Sequence, residues 1–352
     1  MTMGDWAICI IGVVVVLVTL IDIALSVLHT DINGPIGGNL HRAIWHGAVM
    51  ITRRLPRFRR GILSLAGPLM MLAMFVVWAT LFITGFALIV WPQLDAFRTA
   101  SGQEAADFVD ALYYSGVTAT VLGYGDIAPR TDGLKILAFV ESGLGFAIFS
   151  GVVTWLLNVV SGVSARDALA LRVEQETGGT HDGVRLIGRW LPNQASGHAP
   201  ARLRELTHAL QQLQPKMRQF PVLDVHYRSL NAGLAPERMV RSLATASIAG
   251  YLRADEHEQP DLEEAASSLD GAVTDLMRLI AAQHLPPKVL KTLIDPEPEA
   301  QDEAAVKLLE SRVIASGSGR NPLPPQPLLL ACRLRVWLDA MDQLTAWRMD
   351  GP

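Results

Sequence analysis

Three stretches of the chain are nearly free of charge: residues 6–28, 62–91 and 136–160. Crossing the hydrocarbon core of a bilayer takes about 20 apolar residues in a helix. Trp6–Val27 meets that length with Asp22 inside it, Ile62–Trp91 meets it without a charge, and Ile136–Leu157 meets it with Glu141 inside it. The pattern predicts three spanning helices. Pro68, near the start of the second, is tolerated where neighbouring helices satisfy the freed backbone groups. Trp6–Val27 has no positive leading segment and is longer than a signal core, so it reads as a mature helix. Beyond residue 161 the pattern changes to apolar positions at helical spacing among charges. Helices are expected over Arg202–Leu213, Pro236–Ala254, Leu262–Gln283, Ala304–Ile314 and Leu328–Arg348, with Ser164–Glu176 continuing the third span. Gly178-Gly179, Pro192, Pro215, Pro286-Pro287, Pro296/Pro298 and the Gly317–Pro327 run read as breaks between them.

Charge sets the topology. The connection between the first two spans carries Arg42, Arg53, Arg54, Arg57, Arg59 and Arg60 against Asp31. Short positive loops lie on the cytoplasmic side, so the N-terminus is expected outside and residues 161–352 in the cytoplasm. Leu40, Ile44, Val49, Met50 and Ile51 alternate with His41, Arg42 and His46 in that connection. This pattern suits an amphipathic helix in the membrane interface, and also a simple basic connector. The resulting organisation is an N-terminal membrane helix over 1–29, a basic amphipathic linker over 30–61, a pore domain over 62–161 and a helical cytoplasmic domain over 162–352.

Composition adds limits. The 352 residues are half apolar and carry a net charge of −4. Counting along residues 166–352 gives 21 Lys+Arg against 24 Asp+Glu, which offers no basic footprint for nucleic acid. Cys9 and Cys332 cannot build a disulfide framework, and no Cys/His spacing resembles a zinc site. Strand patterns are scarce and no G-x-G-x-x-G follows one, so neither a dinucleotide-binding nor a cyclic-nucleotide domain is supported. His226 with Asp224 and Tyr227 lacks a nucleophile motif and reads as structural. No enzyme chemistry is indicated, and the sequence names no ligand for the cytoplasmic domain.

The segment between the second and third spans, residues 93–132, is too long for a turn and too short for two further crossings. It holds Asp95, Glu104, Asp107, Asp110, Asp126 and Asp132 against Arg98 and Arg130, an acidic surface that raises the local cation concentration. Asp107–Thr120 reads as a short amphipathic helix. Val121-Leu122-Gly123-Tyr124-Gly125-Asp126 follows, and its two glycines permit backbone conformations that other residues resist. Non-helical backbone at membrane depth survives only where it is buried in protein or lines a watery path. A short helix running into such a stretch between two spans has the layout of an ion-selectivity filter, where backbone carbonyls replace the water shell of a cation.

Ala111–Pro129, A-L-Y-Y-S-G-V-T-A-T-V-L-G-Y-G-D-I-A-P, resembles the pore region of the tetrameric pore-loop potassium channels, whose filter reads T-V-G-Y-G-D after a helix ending in T-x-T. The resemblance covers about Ile62–Ser161. It implies an all-α membrane protein with a re-entrant pore helix and filter loop, plus an α-helical cytoplasmic domain. It implies a filter over Thr120, Val121, Leu122, Gly123, Tyr124 and Gly125 with K+ at the carbonyls as the permeant ion and no other cofactor. Tyr113, Tyr114 and Asp126 would brace the filter, with Tyr114 a candidate partner for Tyr124. One loop cannot surround an ion, so a homotetramer in a cell membrane is implied.

Two positions depart from the family pattern. Val121 stands where the family has a threonine whose hydroxyl serves the innermost ion site, and Leu122 stands for valine. A K+-type filter with a weakened inner site is expected, beside two alternatives: a weakly selective cation channel, and a non-conducting channel-like sensor or scaffold. Gly143 and Gly145 in the third span offer a gating hinge or close helix packing. Phe146 and Phe149, about one turn further on, would line the cavity. Glu141 faces the back of the filter, senses protons, or is a neutral structural acid. Asp22 caps a helix or pairs with an arginine of the following loop. No span carries the repeated arginines of a voltage sensor.

Overall fold

A computed structural model describes residues 2–28, 34–99, 107–191, 198–220, 225–256, 259–314 and 323–345. Twelve helices dominate the described residues: α1 (Met3–Leu28), α2 (Pro35–Arg54), α3 (Arg59–Val90), α4 (Phe108–Ala119), α5 (Asp132–Glu176), α6 (Gly183–Trp190), α7 (Ala199–Gln219), α8 (Pro236–Glu256), α9 (Pro260–His284), α10 (Pro287–Ile294), α11 (Ala300–Val313) and α12 (Pro325–Thr345). A two-stranded antiparallel ladder joins β1 (Phe97–Thr99) to β2 (Ile127–Pro129), pairing Phe97 with Pro129, Arg98 with Ala128 and Thr99 with Ile127. The protein is an all-α membrane protein with a further helical part. Three helical stretches are long and apolar enough to cross a bilayer: Met3–Val27, Gly61–Ala96 and Asp132–Glu176.

The chain divides into two compact units. The first joins residues 1–47 to 68–160 and the second joins residues 48–67 to 161–352. Within the first unit, Val16 of α1, Phe82 and Phe86 of α3 and Ala119 of α4 form one buried cluster. Met74, Trp78 and Val152 form another. Ile10, Ile11, Val14, Leu17, Val18 and Ile21 leave an apolar face of α1 exposed, as a lipid-facing surface requires. Where α1 crosses α3, a Cβ on Gly12 would run into the Gly85 carbonyl oxygen, a backbone approach that small residues allow in membranes.

Asp22 is fully buried in this unit. Its Oδ1 accepts from the Ile36 backbone N–H at 2.9 Å, capping the start of α2, and its Oδ2 accepts from Trp78 Nε1 at 2.9 Å. Helix capping, one of the two expected roles, is what the residue performs; its other partner among the described residues is an indole of α3. His29 and Asp31, further along the sequence, lie outside the described residues.

In the second unit α8 and α9 pack side by side. Ser247 donates to the Ala266 carbonyl at 2.7 Å, and Leu243, Leu252, Leu262, Leu269, Val273 and Leu276 are fully buried. Pro215, expected to end a helix, sits inside α7. Proline removes one backbone donor, but Leu213 and Met217 on either side are buried and hold the helix through it. α6 and α10, of eight residues each, were not anticipated. His226 meets His284 edge-on with ring centroids 5.1 Å apart; Asp224, which the sequence places beside it, lies outside the described residues.

Candidate functional site

α4 is the short helix of the re-entrant segment. Its 12 residues rise about 18 Å at 1.5 Å each, too little to cross a bilayer. Asp107 caps its start by accepting from the Asp110 N–H at 3.0 Å. Thr120 caps its end, with its hydroxyl donating to the Gly116 carbonyl at 2.6 Å. Val121 N–H then bonds Thr118 O at 3.1 Å and Leu122 N–H bonds Val117 O at 3.0 Å. This is the paired closure of a helix that ends on a left-handed residue.

The left-handed residue is Val121, at φ 61°. Glycine usually fills such a place, and a β-branched residue there is an outlier costing about 1–2 kcal/mol. Gly123 and Gly125 follow at φ 58° and 73°, whereas Leu122 and Tyr124 keep negative φ. Backbone that alternates in hand gathers successive N–H groups on one side and successive carbonyls on the other. The stretch from Thr120 to Gly125 alternates in this way at Val121, Gly123 and Gly125. Val121, Leu122 and Tyr124 are more than half exposed in the single chain.

The ends of the segment are tied. β1 precedes α4 and β2 follows Asp126, so the ladder closes the loop that holds helix and strand, and Arg130 N–H adds a bond to Ala96 O at 3.0 Å. Tyr113 Oη donates to Asp126 Oδ2 at 2.6 Å, and Asp126 Oδ1 accepts from the Ile127 N–H at 3.1 Å. The Tyr113 hydroxyl holds the Asp126 carboxyl below its ordinary value. Tyr114, expected as a partner for Tyr124, is buried against Phe97 of β1 with ring centroids 4.9 Å apart. The two adjacent tyrosines point a helical step apart, so Tyr113 reaches the end of the strand while Tyr114 anchors the helix to the ladder.

α5 runs unbroken through Gly143 and Gly145. A Cβ on Gly145 would overlap the carbonyl oxygen of Ala119, so this glycine brings α5 against the end of α4. Gly143 has open space on its Cβ side. Glu141, one turn earlier, is fully buried and accepts a hydrogen bond from Ser115 of α4. The Ser115 hydroxyl also lies 2.9 Å from the Ile83 carbonyl of α3. Ser115 was missed as a site residue, although it is a polar position on the face of α4 opposite a span with a lone acid. Phe149 meets Phe75 edge-on at 6.4 Å, and Phe146 is exposed.

A short helix that ends on a Gly-Tyr-Gly strand, folded back between two spanning helices, defines a pore-loop membrane protein. Residues 69–161 match the family model described as "Ion channel". The chain is 30% identical over 154 residues to the uncharacterized membrane protein YdjJ of Bacillus subtilis (strain 168), covering 44% of this chain and 43% of that protein. It is 44% identical over 75 residues to two-pore potassium channel 5 of Arabidopsis thaliana, 19% of this chain and 18% of the plant protein. It is 34% identical over 68 residues to potassium channel protein kcv of Paramecium bursaria Chlorella virus 1, 19% of this chain and 65% of the viral one. The matched part thus spans less than half of YdjJ and about a fifth of the plant channel. No solved structure matches. Residues 69–161 are thus similar to ion channels, among them potassium channels of a plant and of a virus.

Proposed function

We propose that the protein is a subunit of a homotetrameric K+ channel in a cell membrane. The observation that carries this reading is the alternation of backbone hand at Val121, Gly123 and Gly125, held between two spanning helices by the Tyr113–Asp126 bond. Four such strands around an axis would offer rings of carbonyls that replace the hydration shell of K+. A single strand cannot surround an ion, and closed cyclic symmetry supplies the other three. The arginine-rich stretch before α3 favours an outward N-terminus and a cytoplasmic second unit. Phe146 and Phe149 would then face the cavity below the filter, Glu141 would steady the pore helix through Ser115, and Gly143 remains the position free to bend.

Val121 supports a second reading, a cation channel of weak selectivity, because it brings no hydroxyl to the innermost carbonyl ring. Reversal potentials of the purified protein in planar bilayers under K+/Na+ gradients separate the two. A potential that follows the K+ gradient is expected, with Val121→Thr strengthening the preference for K+. A potential indifferent to K+ sinks the K+ reading. Absence of Rb+ uptake in liposomes for both wild type and Val121→Thr would instead favour a non-conducting sensor or scaffold.

A further inference from the structure

Arg238, Arg241 and Thr245 lie at helical spacings of three and four along α8, so they share one face. Leu309 and Arg312 of α11 stand opposite, and Thr180, His181 and Asp182, between α5 and α6, close the third side. Together they line a cavity of about 390 Å³. That volume falls in the range of about 300–1,000 Å³ typical of small-molecule sites.

The cavity is built of donors and positive charge. Three guanidinium groups face one carboxylate, Asp182. Arg312 is paired with Asp182, and Arg238 Nη1 lies 3.1 Å from His181 Nε2. A guanidinium has five N–H donors, so both retain several. Arg241 makes no ion pair among the described residues. The remaining polar groups are spent within the protein. The Thr180 and Thr245 hydroxyls donate to Thr177 O and Arg241 O at 2.8 Å each. The Gly183 N–H bonds Thr245 Oγ1 at 3.0 Å, and the Val184 N–H bonds Asp182 Oδ1 at 3.1 Å. The N-terminus of α6 is therefore satisfied, and the available donors belong to the arginines.

Guanidinium forks match the oxygens of phosphate and carboxylate groups. Here the surplus is about two positive charges, more than one carboxylate neutralises and what a phosphate carries. His181 adds a second sign of a ligand clamp. It is left-handed at φ 52°, a conformation that persists in a non-glycine residue only where surroundings impose it and that gathers at clamps and switches. Burial, then the neighbouring Arg238 cation, lowers the His181 pKa, so the imidazole adds no charge at neutral pH.

We infer that this cavity binds a small soluble molecule bearing a phosphate or diphosphate group, held by Arg238, Arg241 and Arg312. The wall at Thr180–Asp182 is joined to the end of α5 by Thr177, Gly178 and Gly179, the two glycines at φ 66° and 74°. A bound anion would thus fasten the chain directly after the longest helix of the protein. The site stands whether or not the pore conducts.

Calorimetric titration of the full chain in lipid-free detergent, with inorganic pyrophosphate as the probe, tests it. A saturable heat is expected that weakens with added salt, as ion pairing does. Deuterium exchange over residues 177–183 should slow when pyrophosphate is present. Arg241→Ala should weaken binding about tenfold or more, the usual loss for a charged hydrogen bond, while Arg241→Lys retains part of it. Arg241 is exposed, so thermal melts should show these variants folded. Absence of both the heat and the protection would overturn the site. So would equal affinity in wild type and in an Arg238→Ala/Arg241→Ala double variant, or binding confined to vesicles of anionic lipid.

Discussion

Trp78 of α3 donates its indole N–H to the carboxylate of Asp22 on α1, 56 residues away in sequence, at 2.9 Å in a fully buried setting. The other oxygen of the same carboxylate holds the Ile36 N–H at the start of α2. Three helices therefore meet on one acid that accepts from two donors. Asp22→Asn would keep the shape but turn an amide NH2 toward one of those donors. A buried donor left unmet costs about 1–3 kcal/mol. The expected outcome is a lower unfolding temperature in detergent for Asp22→Asn, and a smaller loss for Trp78→Phe. Wild-type stability in Asp22→Asn would show that the carboxylate does not hold these helices together.

Gly145 and Gly143 separate two roles that the sequence leaves open. Gly145→Ala places a methyl group on the Ala119 carbonyl, and overpacking of this kind costs about 1–3 kcal/mol. Gly143→Ala meets open space and should change stability by less than about 0.5 kcal/mol, as substitutions away from packed features do. Thermal melts of the two variants check the difference. If Gly143 serves as the bend, its alanine variant should alter Rb+ flux while its melting temperature stays put. An undisturbed melt for Gly145→Ala would contradict the close approach.

The three spans and the re-entrant segment are legible in the sequence because the bilayer imposes length and polarity on each segment separately. Thr118–Asp126 is legible for a similar reason: glycine at 123 and 125 reports a local backbone need. What depends on how helices are rotated against one another is not legible. Ser115 beside Glu141, Trp78 beside Asp22 and Phe97 beneath Tyr114 are pairings of distant residues, and nothing at either position names the other. The β1–β2 ladder escapes notice because three-residue strands carry no periodicity; they form by closing the ends of the re-entrant loop. Pro215 misleads because buried neighbours on one turn outweigh one lost backbone bond. The cavity of the second unit hides because Arg238, Arg241 and Arg312 look like ordinary solvated charges until α8 and α11 come together.

In the second unit, Arg228 and Glu237 form a two-pronged pair, Nη2 to Oε1 at 2.5 Å and Nη1 to Oε2 at 3.2 Å. Their side chains are 3% and 1% exposed. Taking one partner from a buried pair strands the other charge and costs about 3–5 kcal/mol. Glu237→Gln should therefore unfold the second unit at a markedly lower temperature, visible as earlier proteolysis of residues 225–345 on heating. Arg228→Met/Glu237→Leu together should recover much of that loss, since neither charge is left stranded. Equal destabilisation by the double and the single variants would place the energy elsewhere, in the Arg228 bond to the Val225 carbonyl.

The Tyr113–Asp126 bond gives the end of the strand a dependence on acidity whose sign is fixed. The Tyr113 hydroxyl lowers the Asp126 pKa, because it donates to the ionised form. A group with a depressed folded pKa contributes above its unfolded value, about 3.9 for aspartate, and loses that contribution as pH falls through the folded value. Conduction should hold from neutral pH down to about pH 4 and decline below it, when only the external solution is acidified. Tyr113→Phe keeps the ring but removes the donor at every pH. Its flux should be lower at neutral pH, and its acid decline should begin nearer the ordinary aspartate value. Rb+ uptake into liposomes against external pH, compared between wild type and Tyr113→Phe, measures both effects. Superimposable pH curves would mean that the bond does not brace the strand.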